Sequence, residues 1–337
     1  MVDIRDVAAS AGVSVSTVSN ALNKPELVSR SAAAKVAEAI DRLDYVPNIA
    51  ARQLRAGRSN AIGMAVMNIA NPFFSALVLG AEEVAERAGY SVIVGNSNDS
   101  PARQARHLEL FDRQRLDGVL LSAVGEVDEL LVRFRKRKVP VVLVDRVDPH
   151  GTVPSVSLDD VLGGRIATEH LIAGGSKRLM FLGGPFQVQQ VFDRFAGFKA
   201  AAAENDVRLT TFELDTMNPR VGRELGEKLA AMPSGDRPDG IFAANDELAL
   251  GVMQSLLRNG IRVPEEISIV GYDDIDFAAA AIVPLTSVRQ PATEIGNRAM
   301  ELLLDELTDG SADRGSEPAL VRFEPQLVIR QSSTTRN

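Results

Sequence analysis

The sequence predicts two fold classes in series: a small all-α helix-turn-helix headpiece, then a larger α/β region built of two doubly wound parallel-sheet subdomains. Three observations carry this. Residues 4–23 read as two short helices broken at a glycine, residues 31–58 hold two further helical patterns, and from Asn60 onward apolar β-like runs alternate with amphipathic helices.

In the first unit, Ala8 is small enough for two helices to cross closely, and Gly12 tolerates the positive φ of a tight turn. Val7, Val13, Val18 and Leu22 recur at spacings that pack between those helices. Ser14 stands where an N-cap belongs, its hydroxyl accepting a backbone N–H of the next helix, which leaves Val15, Ser16, Thr17 and Asn20 away from the valines. These side chains suit a DNA groove: Asn pairs bidentately with adenine, Ser bonds a base edge or a phosphate, and Val touches a thymine methyl. Ser14, Ser19 and Asn23 complete the candidate set. A helical hairpin that merely packs on something else has the same pattern, so the residues that follow must decide.

Ser29 caps a third predicted helix over Ser31 to Leu43, with Val36, Ile40 and Leu43 on one face, giving the three-helix core such a motif needs. After Tyr45-Val46-Pro47-Asn48 comes a short polar helix, Asn48 to Arg58, too short to be stable alone in water. It carries Arg52, Arg55 and Arg58, suited to phosphates, and one projecting Leu54, suited to wedging between base steps from the minor groove. Asn48, Ala51, Arg52, Leu54 and Arg55 are therefore DNA candidates. The plain alternative is a linker whose leucine docks on the next domain.

In the α/β region, strands are predicted at Ala61 to Met67, Ser91 to Gly95, Gly118 to Ser122 and Val139 to Val144, with helices at about Ser75 to Ala88, Ala102 to Arg113 and Asp128 to Arg137. A second set of strands follows at Arg178 to Leu182, Leu209 to Glu213, Gly240 to Ala243 and Ile267 to Gly271. Its helices lie near Leu162 to Ala173, Gln190 to Glu204, Pro219 to Ala231 and Glu247 to Arg258. A helix over Thr293 to Leu307 and strands near Leu320 to Phe323 and Gln326 to Ile329 close the region. This order is the rhythm of doubly wound sheets, and two units suit its length better than one.

Ligands of such sheets bind beyond the carboxyl ends of the strands, and two facing sheets make a cleft. Asn71, Phe73 and Phe74 follow the first strand, Asp145 and Arg146 the fourth, Asn245 and Asp246 the strand ending at Ala243, and Asp273 and Asp274 the strand ending at Gly271. Arg194 lies in the first turns of the helix after Gly183-Gly184-Pro185. Carboxylates, amides and a guanidinium around aromatic faces suit a polyhydroxylated ligand, which takes hydrogen bonds from its edges and stacks its apolar face. For each there is also a structural role: Asp145 and Asp246 as helix caps, Phe73 and Phe74 as core.

Composition narrows the class. The chain has no Cys, no apolar run long enough for a membrane span and no basic-plus-apolar leader, so a cytoplasmic protein is expected. The formal charge of -8 divides unevenly. Residues 1–60 carry 8 Lys and Arg against 6 Asp and Glu, and the remainder 29 against 39, so the basic excess lies in the headpiece. That excess is modest, and a dimer reading two half-sites is the expected remedy.

Ten short motifs in order resemble the lactose-repressor (LacI) family of bacterial transcription regulators. They are Asp6-Val7-Ala8 with Ala11-Gly12-Val13-Ser14, Ser16-Thr17-Val18-Ser19, Tyr45-Val46-Pro47-Asn48, Ala51-Arg52-Gln53-Leu54-Arg55, Asn71-Pro72-Phe73-Phe74, Gly183-Gly184, Arg194-Phe195-Ala196-Gly197-Phe198, Ala243-Ala244-Asn245-Asp246, Gly271-Tyr272-Asp273-Asp274 and Val288-Arg289-Gln290-Pro291. The resemblance implies a headpiece over 1–46, a hinge helix and linker over 47–59, and a periplasmic-binding-protein-like effector and dimerisation domain over 60–337. Within that domain it implies an N-subdomain of about 60–159 and 291–322 and a C-subdomain of about 160–288 and 323–332. It further implies that Val15, Ser16 and Asn20 read bases, that Leu54 intercalates at the operator centre, that Arg194, Asn245 and Asp273 contact an effector, and that the stretch holding Gln187, Val188 and Gln190 also lines the pocket. Asn20 stands where many members carry Arg or His, so operator preference does not transfer.

The expected function is therefore a repressor that binds a pseudo-palindromic operator as a homodimer and answers to a small-molecule effector, a carbohydrate by family habit. A nucleobase-responsive corepressor-type regulator is the alternative. No cofactor, metal or membrane partner is expected. An enzyme finds support only in Asp273, Asp274 and Asp276, for the three histidines, His107, His150 and His170, lie far apart in sequence and no P-loop or nucleophile elbow is present. A secreted solute-binding protein would share the cleft but not the headpiece. Only Gln331 to Asn337 follow Arg330, too few for an apolar-heptad tetramerisation helix, so a dimer is expected. Leu54→Ala is expected to lower specific operator affinity relative to nonspecific affinity; an unchanged ratio in salt-matched binding assays would remove the wedge role.

Overall fold

The computed structural model describes residues 2–45, 59–148, 150–309 and 317–333. They fall into two compact units, Met1–Ser59 and Asn60–Asn337. The hinge candidates Asn48, Ala51, Arg52, Leu54 and Arg55 lie outside the described residues.

In the first unit, α1 spans Ile4–Ala11, α2 Val15–Asn23 and α3 Arg30–Leu43, with a 3-10 turn at Pro25–Leu27. A reciprocal capping box starts α1: Asp3 accepts from the N–H of Arg5 and Asp6, while the Asp6 carboxylate accepts the Asp3 N–H at 2.8 Å. Gly12 ends α1 in the left-handed region, φ 65° and ψ 37°, as the turn required. The Ser14 hydroxyl accepts the Thr17 N–H at 3.1 Å and starts α2. Val7, Ala8, Ala11, Val18, Val36 and Ala39 form the core, with Val13, Leu22, Ile40 and Leu43 half-buried around it. The inner line of α3 is thus Val36 and Ala39, with Ile40 and Leu43 packed at its margin.

The second unit holds two six-stranded sheets. The first contains β1 (Ala61–Val66), β2 (Ser91–Asn96), β3 (Gly118–Leu121), β4 (Val141–Val144) and β5 (Ser155–Leu158), joined near the C-terminus by β11 (Leu320–Phe323). Their order is β11-β5-β4-β3-β1-β2, all pairs parallel. The second contains β6 (Arg178–Gly183), β7 (Arg208–Glu213), β8 (Gly240–Ala243), β9 (Ser268–Asp273), β10 (Thr286–Arg289) and β12 (Gln326–Val328). Its order is β12-β10-β9-β8-β6-β7, parallel except where β12 pairs β10. Helices α4 (Pro72–Arg87), α5 (Pro101–Arg113), α6 (Asp128–Lys136) and α12 (Ala292–Asp309) cover the first sheet. Helices α7 (Asp160–Ala173), α8 (Gln189–Ala203), α9 (Pro219–Ala231) and α10 (Asp246–Arg258) cover the second, with a short α11 (Asp276–Ala280) after β9. Each sheet has an apolar core on both faces. The chain crosses between them after β5, after β10 and after β11.

Two strands escaped the sequence reading. β5 and β10 are four residues each and carry Ser155, Ser157, Thr286 and Ser287 where an apolar run would announce a buried strand. The hydroxyls of β10 are satisfied by tertiary partners, Thr286 Oγ1 donating to the Arg330 carbonyl at 3.2 Å and Ser287 Oγ to Asp246 at 2.6 Å. α4 begins earlier than its periodicity implies, since Asn71 Oδ1 accepts the Phe73 N–H at 2.9 Å and Pro72 takes the first helical position. Phe73 and Phe74 accordingly lie on a helix rather than in a loop.

Backbone contact between α7 and α8 fixes where the second sheet's polar side chains point. A Cβ on Gly164 would stand 2.0 Å from the Arg194 carbonyl oxygen, and one on Gly197 would stand 2.0 Å from that of Val161. Gly164→Ala is therefore expected to lower stability by roughly 1–3 kcal/mol. Gly235→Ala, with nothing within 4 Å, should leave the thermal midpoint nearly unchanged.

Candidate functional site

The strand ends of the two sheets enclose a cavity of about 240 Å³. Of the strand-end candidates, Phe73, Phe74, Asp145, Gln190, Arg194, Asn245 and Asp273 line it, whereas Arg146, Asp246 and Asp274 do not. Met67, Asn71, Asp99, Asp215, Glu247 and Gln290 add to the wall.

Arg194 organises one side. It is buried, its Nε donating to Asp160 Oδ1 at 2.8 Å and its Nη1 to the Ala244 carbonyl at 2.8 Å. Its guanidinium carbon lies 3.7 Å from the centroid of the Tyr272 ring, and Asp273 Oδ1 stands 3.9 Å from Nη1. Burial opposes the charge, but Asp160 foremost among its neighbours outweighs this and holds the pKa above the ordinary arginine value. Asp160 and Tyr272 escaped the sequence reading. Asp160 follows β5, the strand that was not foreseen, and a core tyrosine beside a strand-end aspartate signals nothing unless the arginine is known to stack on it.

Asp273 closes the cleft on this side. It accepts from Gln290 Nε2 at 2.7 Å and from Asn71 Nδ2, on the other sheet's α4 cap, at 3.2 Å. On the opposite side, Gln190 Nε2 donates to the Asp145 carbonyl and to Asp145 Oδ2, the latter at 3.0 Å. Two hydrogen-bonded contacts thus span the sheets. Asp145 (φ 59°), Asp273 (φ 107°) and Asp274 (φ 56°) all hold left-handed backbone, a strain that clusters at these strand ends.

Burial is the first cause of every upward carboxyl shift here. It pushes Asp273 up to about 6, with Arg194, Gln290 and Asn71 pulling the other way. It pushes Asp145 well above the usual carboxylate range, helped by the charge of Asp160. It pushes Glu247 up to about 7, helped by Asp273 and Asp99.

Asn245 lines the cavity but is also the cap of α10, its Oδ1 accepting the Leu248 N–H at 2.9 Å and its Nδ2 donating to the Met217 carbonyl at 3.3 Å. Phe73 and Phe74 meet edge to face at 5.0 Å and serve both core and cavity. Asp246 is absorbed in the fold, accepting from Ser287 Oγ and the Ile275 N–H. Asp274 turns to Arg289 at 2.7 Å and Arg330 at 2.6 Å, and Asp276 is exposed, so the three acids diverge rather than form a catalytic pair. None of the three histidines lines the cavity. Among the described residues no group of three or more His, Asp or Glu is placed to hold a metal, and no helix is long and apolar enough to cross a membrane.

In the first unit, the exposed side of α2 carries Val15, 38% exposed, and Ser16, with Thr17, Ser19 and Asn20 half-buried beside them. Ser14 is exposed, but its Oγ lies 2.7 Å from Ser16 Oγ and 2.8 Å from Thr17 Oγ1, so these hydroxyls form one cluster at the helix start. Asn23 ends the helix.

A helix-turn-helix unit ahead of two crossed α/β sheets with a ligand-sized cleft defines a class of effector-controlled DNA-binding regulators. Residues 3–48 match the family described as bacterial regulatory proteins, lacI family, and residues 168–333 match the periplasmic binding protein-like domain. The chain is 33% identical over 340 residues, 98% of each chain, to the HTH-type transcriptional repressor PurR of Vibrio parahaemolyticus. It is also similar to the lac repressor dimer bound to operator and the anti-inducer ONPF, at 28% identity, 98% coverage of each chain and a TM-score of 0.82. A third likeness is to the transcriptional regulator CelR in its cellobiose complex, at 29% identity, 98% and 100% coverage and a TM-score of 0.71. This chain belongs to the LacI family. It is a DNA-binding transcriptional repressor of that family and not an enzyme.

A carboxyl whose pKa is higher folded than unfolded binds its proton more tightly in the fold, so its contribution is present at low pH and is lost as pH rises through the folded value. Glu247 must lose its share between the ordinary carboxylate range and about 7. Glu247→Gln should accordingly raise the thermal midpoint of the ligand-free protein at pH 8 and change it little at pH 5.

Proposed function

We propose that this repressor binds a pseudo-palindromic operator as a homodimer and is switched by a sugar or sugar derivative held between its two sheets. Residues 1–46 act as headpiece, 47–59 as hinge and 60–337 as effector and dimerisation domain, working in the cytoplasm where the operator is. Ser16 and Asn20, with Val15, Thr17, Ser14, Ser19 and Asn23 around them, read and position the DNA. Asn48, Ala51, Arg52, Leu54 and Arg55 form the minor-groove contact.

The observation that carries the effector reading is the convergence of Asp145, Gln190, Arg194, Asp273 and the two phenylalanines on one cavity whose walls come from both sheets. A molecule bound there touches both halves, so its binding energy biases their arrangement and reaches the hinge. The cavity is smaller than the roughly 300–1,000 Å³ of sites for drug-sized ligands, which favours a single ring. CelR, similar over nearly the whole chain, is seen with cellobiose, which supports a carbohydrate here. For the homodimer, Phe277 at 64% and Ile282 at 96% exposed offer apolar surface near α11 that a second copy would cover.

Selection of operator DNA from a random pool by the intact chain, followed by release assays with sugars and nucleobases, tests this reading. A palindromic consensus and a response to sugars are expected; a response to nucleobases alone would favour the corepressor-type alternative. Asn20→Ala should lose roughly 1–3 kcal/mol of discrimination at one base position. Asp145→Asn should keep operator affinity while weakening the sugar response by about tenfold or more, the roughly 1.4 kcal/mol of one good polar contact.

A further inference from the structure

We infer that the cleft takes a cationic amino sugar, whose ammonium lies between Glu247 and Asp99 while its ring hydroxyls meet Asp145, Gln190, Asp273 and Gln290. This rests on the sugar reading and narrows it.

The charges of the wall point this way. Among the described residues five carboxyl groups line the cavity, Asp99, Asp145, Asp215, Glu247 and Asp273, against one cationic side chain, Arg194. That cation is already engaged by Asp160 and Asp273. A phosphorylated or carboxylated ligand would therefore add negative charge where it is in excess. Asp145 and Asp273 already hold amide donors of the protein, whereas Asp99, Asp215 and Glu247 have no side-chain hydrogen bond or ion pair among the described residues. Asp99 follows β2 on one sheet, and Glu247 lies in the first turn of α10 on the other. Each faces the cleft, and the charge of Asp99 acts on Glu247. A cation between them removes that repulsion and draws the two sheets together.

Unpaired acceptors give the second, independent observation. The amide nitrogens of Gln190 and Gln290 are fixed by their carboxylate partners, so each amide oxygen is left as an acceptor. Neither oxygen has a partner among the described residues, nor has Asp145 Oδ1, and all three residues are more than nine-tenths buried in the cavity wall. Buried acceptors without donors are costly, and a ligand rich in O–H and N–H groups supplies what they lack. Among the described residues no metal-ligating group gathers there to claim the charge instead. The raised pKa of Glu247, about 7 without a cation, fits the same picture, because a bound ammonium favours its ionised form.

The test is titration calorimetry on the full-length protein with D-glucosamine, D-galactosamine and D-mannosamine, each beside its parent hexose, N-acetyl derivative and 6-phosphate. At least one amine is expected to bind about tenfold or more tightly than its three uncharged or anionic counterparts. Glu247→Gln should erase that preference and Asp99→Asn should reduce it, with thermal unfolding confirming that both variants fold. Below pH 7, binding to the unmodified protein should release protons, read from buffers of different ionisation enthalpy, and the Gln variant should release fewer. Equal or tighter binding of a neutral hexose, or a preference that survives Glu247→Gln, overturns the amine assignment and leaves the sugar reading standing. Failure of the whole panel together with binding of a nucleobase overturns both.

Discussion

One buried charge sets the terms for the cleft. Arg194 sits on α8 in the wall between the sheets, and an unpaired guanidinium there would cost far more than a domain's margin of stability. Its neighbours answer that demand: Asp160 at the start of α7, the Ala244 carbonyl after β8, the face of Tyr272 in β9, and Asp273 at the end of the same strand. They come from three separate segments of the second sheet and its connections. The arginine can be satisfied only when α7, α8, β8 and β9 are all in place, and the glycine crossing of α7 and α8 brings two of them close enough.

Because Asp273 is held on its own side by Gln290 and within reach of Arg194, it offers a fixed carboxylate to Asn71 across the cleft. Asp145 and Gln190 repeat the arrangement on the other wall. Both junctions pair a carboxylate with an amide, a contact of moderate strength, and unpartnered buried acceptors stand beside them: Gln290 Oε1 at the first, Asp145 Oδ1 and Gln190 Oε1 at the second. Such junctions can exchange partners with a hydroxylated ligand at small net cost, which is what a switch requires. Left-handed aspartates at the strand ends aim these carboxylates inward, storing local strain where the ligand would act.

The headpiece obeys a different economy of forces. Its core is six small or β-branched side chains, and its helix ends are fixed by Asp3, Gly12 and Ser14 rather than by extensive burial. The exposed side of α2 is thereby kept free of packing duties. Charge follows the same division: basic residues exceed acidic ones in residues 1–60, while acids dominate the remainder and the cavity wall.

The sequence by itself determined what depends on neighbours along the chain. Gly12 and Ser14 announced the turn and the cap, alternating apolar runs announced most strands of both sheets, and residues just beyond those strands were legible as cleft candidates because a parallel sheet leaves its carboxyl ends open. What tertiary structure alone decided was every relation between distant segments. β5 and β10 were hidden because their serines and threonine look like loop; in β10 the hydroxyls of Ser287 and Thr286 are satisfied only by the distant Asp246 and Arg330. Asp160, Tyr272 and Gln290 became part of the site only through Arg194 and Asp273, and Glu247 and Asp99 only through lining one cavity from the two sheets. A side chain's local pattern records which face it occupies; its charge state and its partner are set by groups from 17 to 202 residues away along the chain.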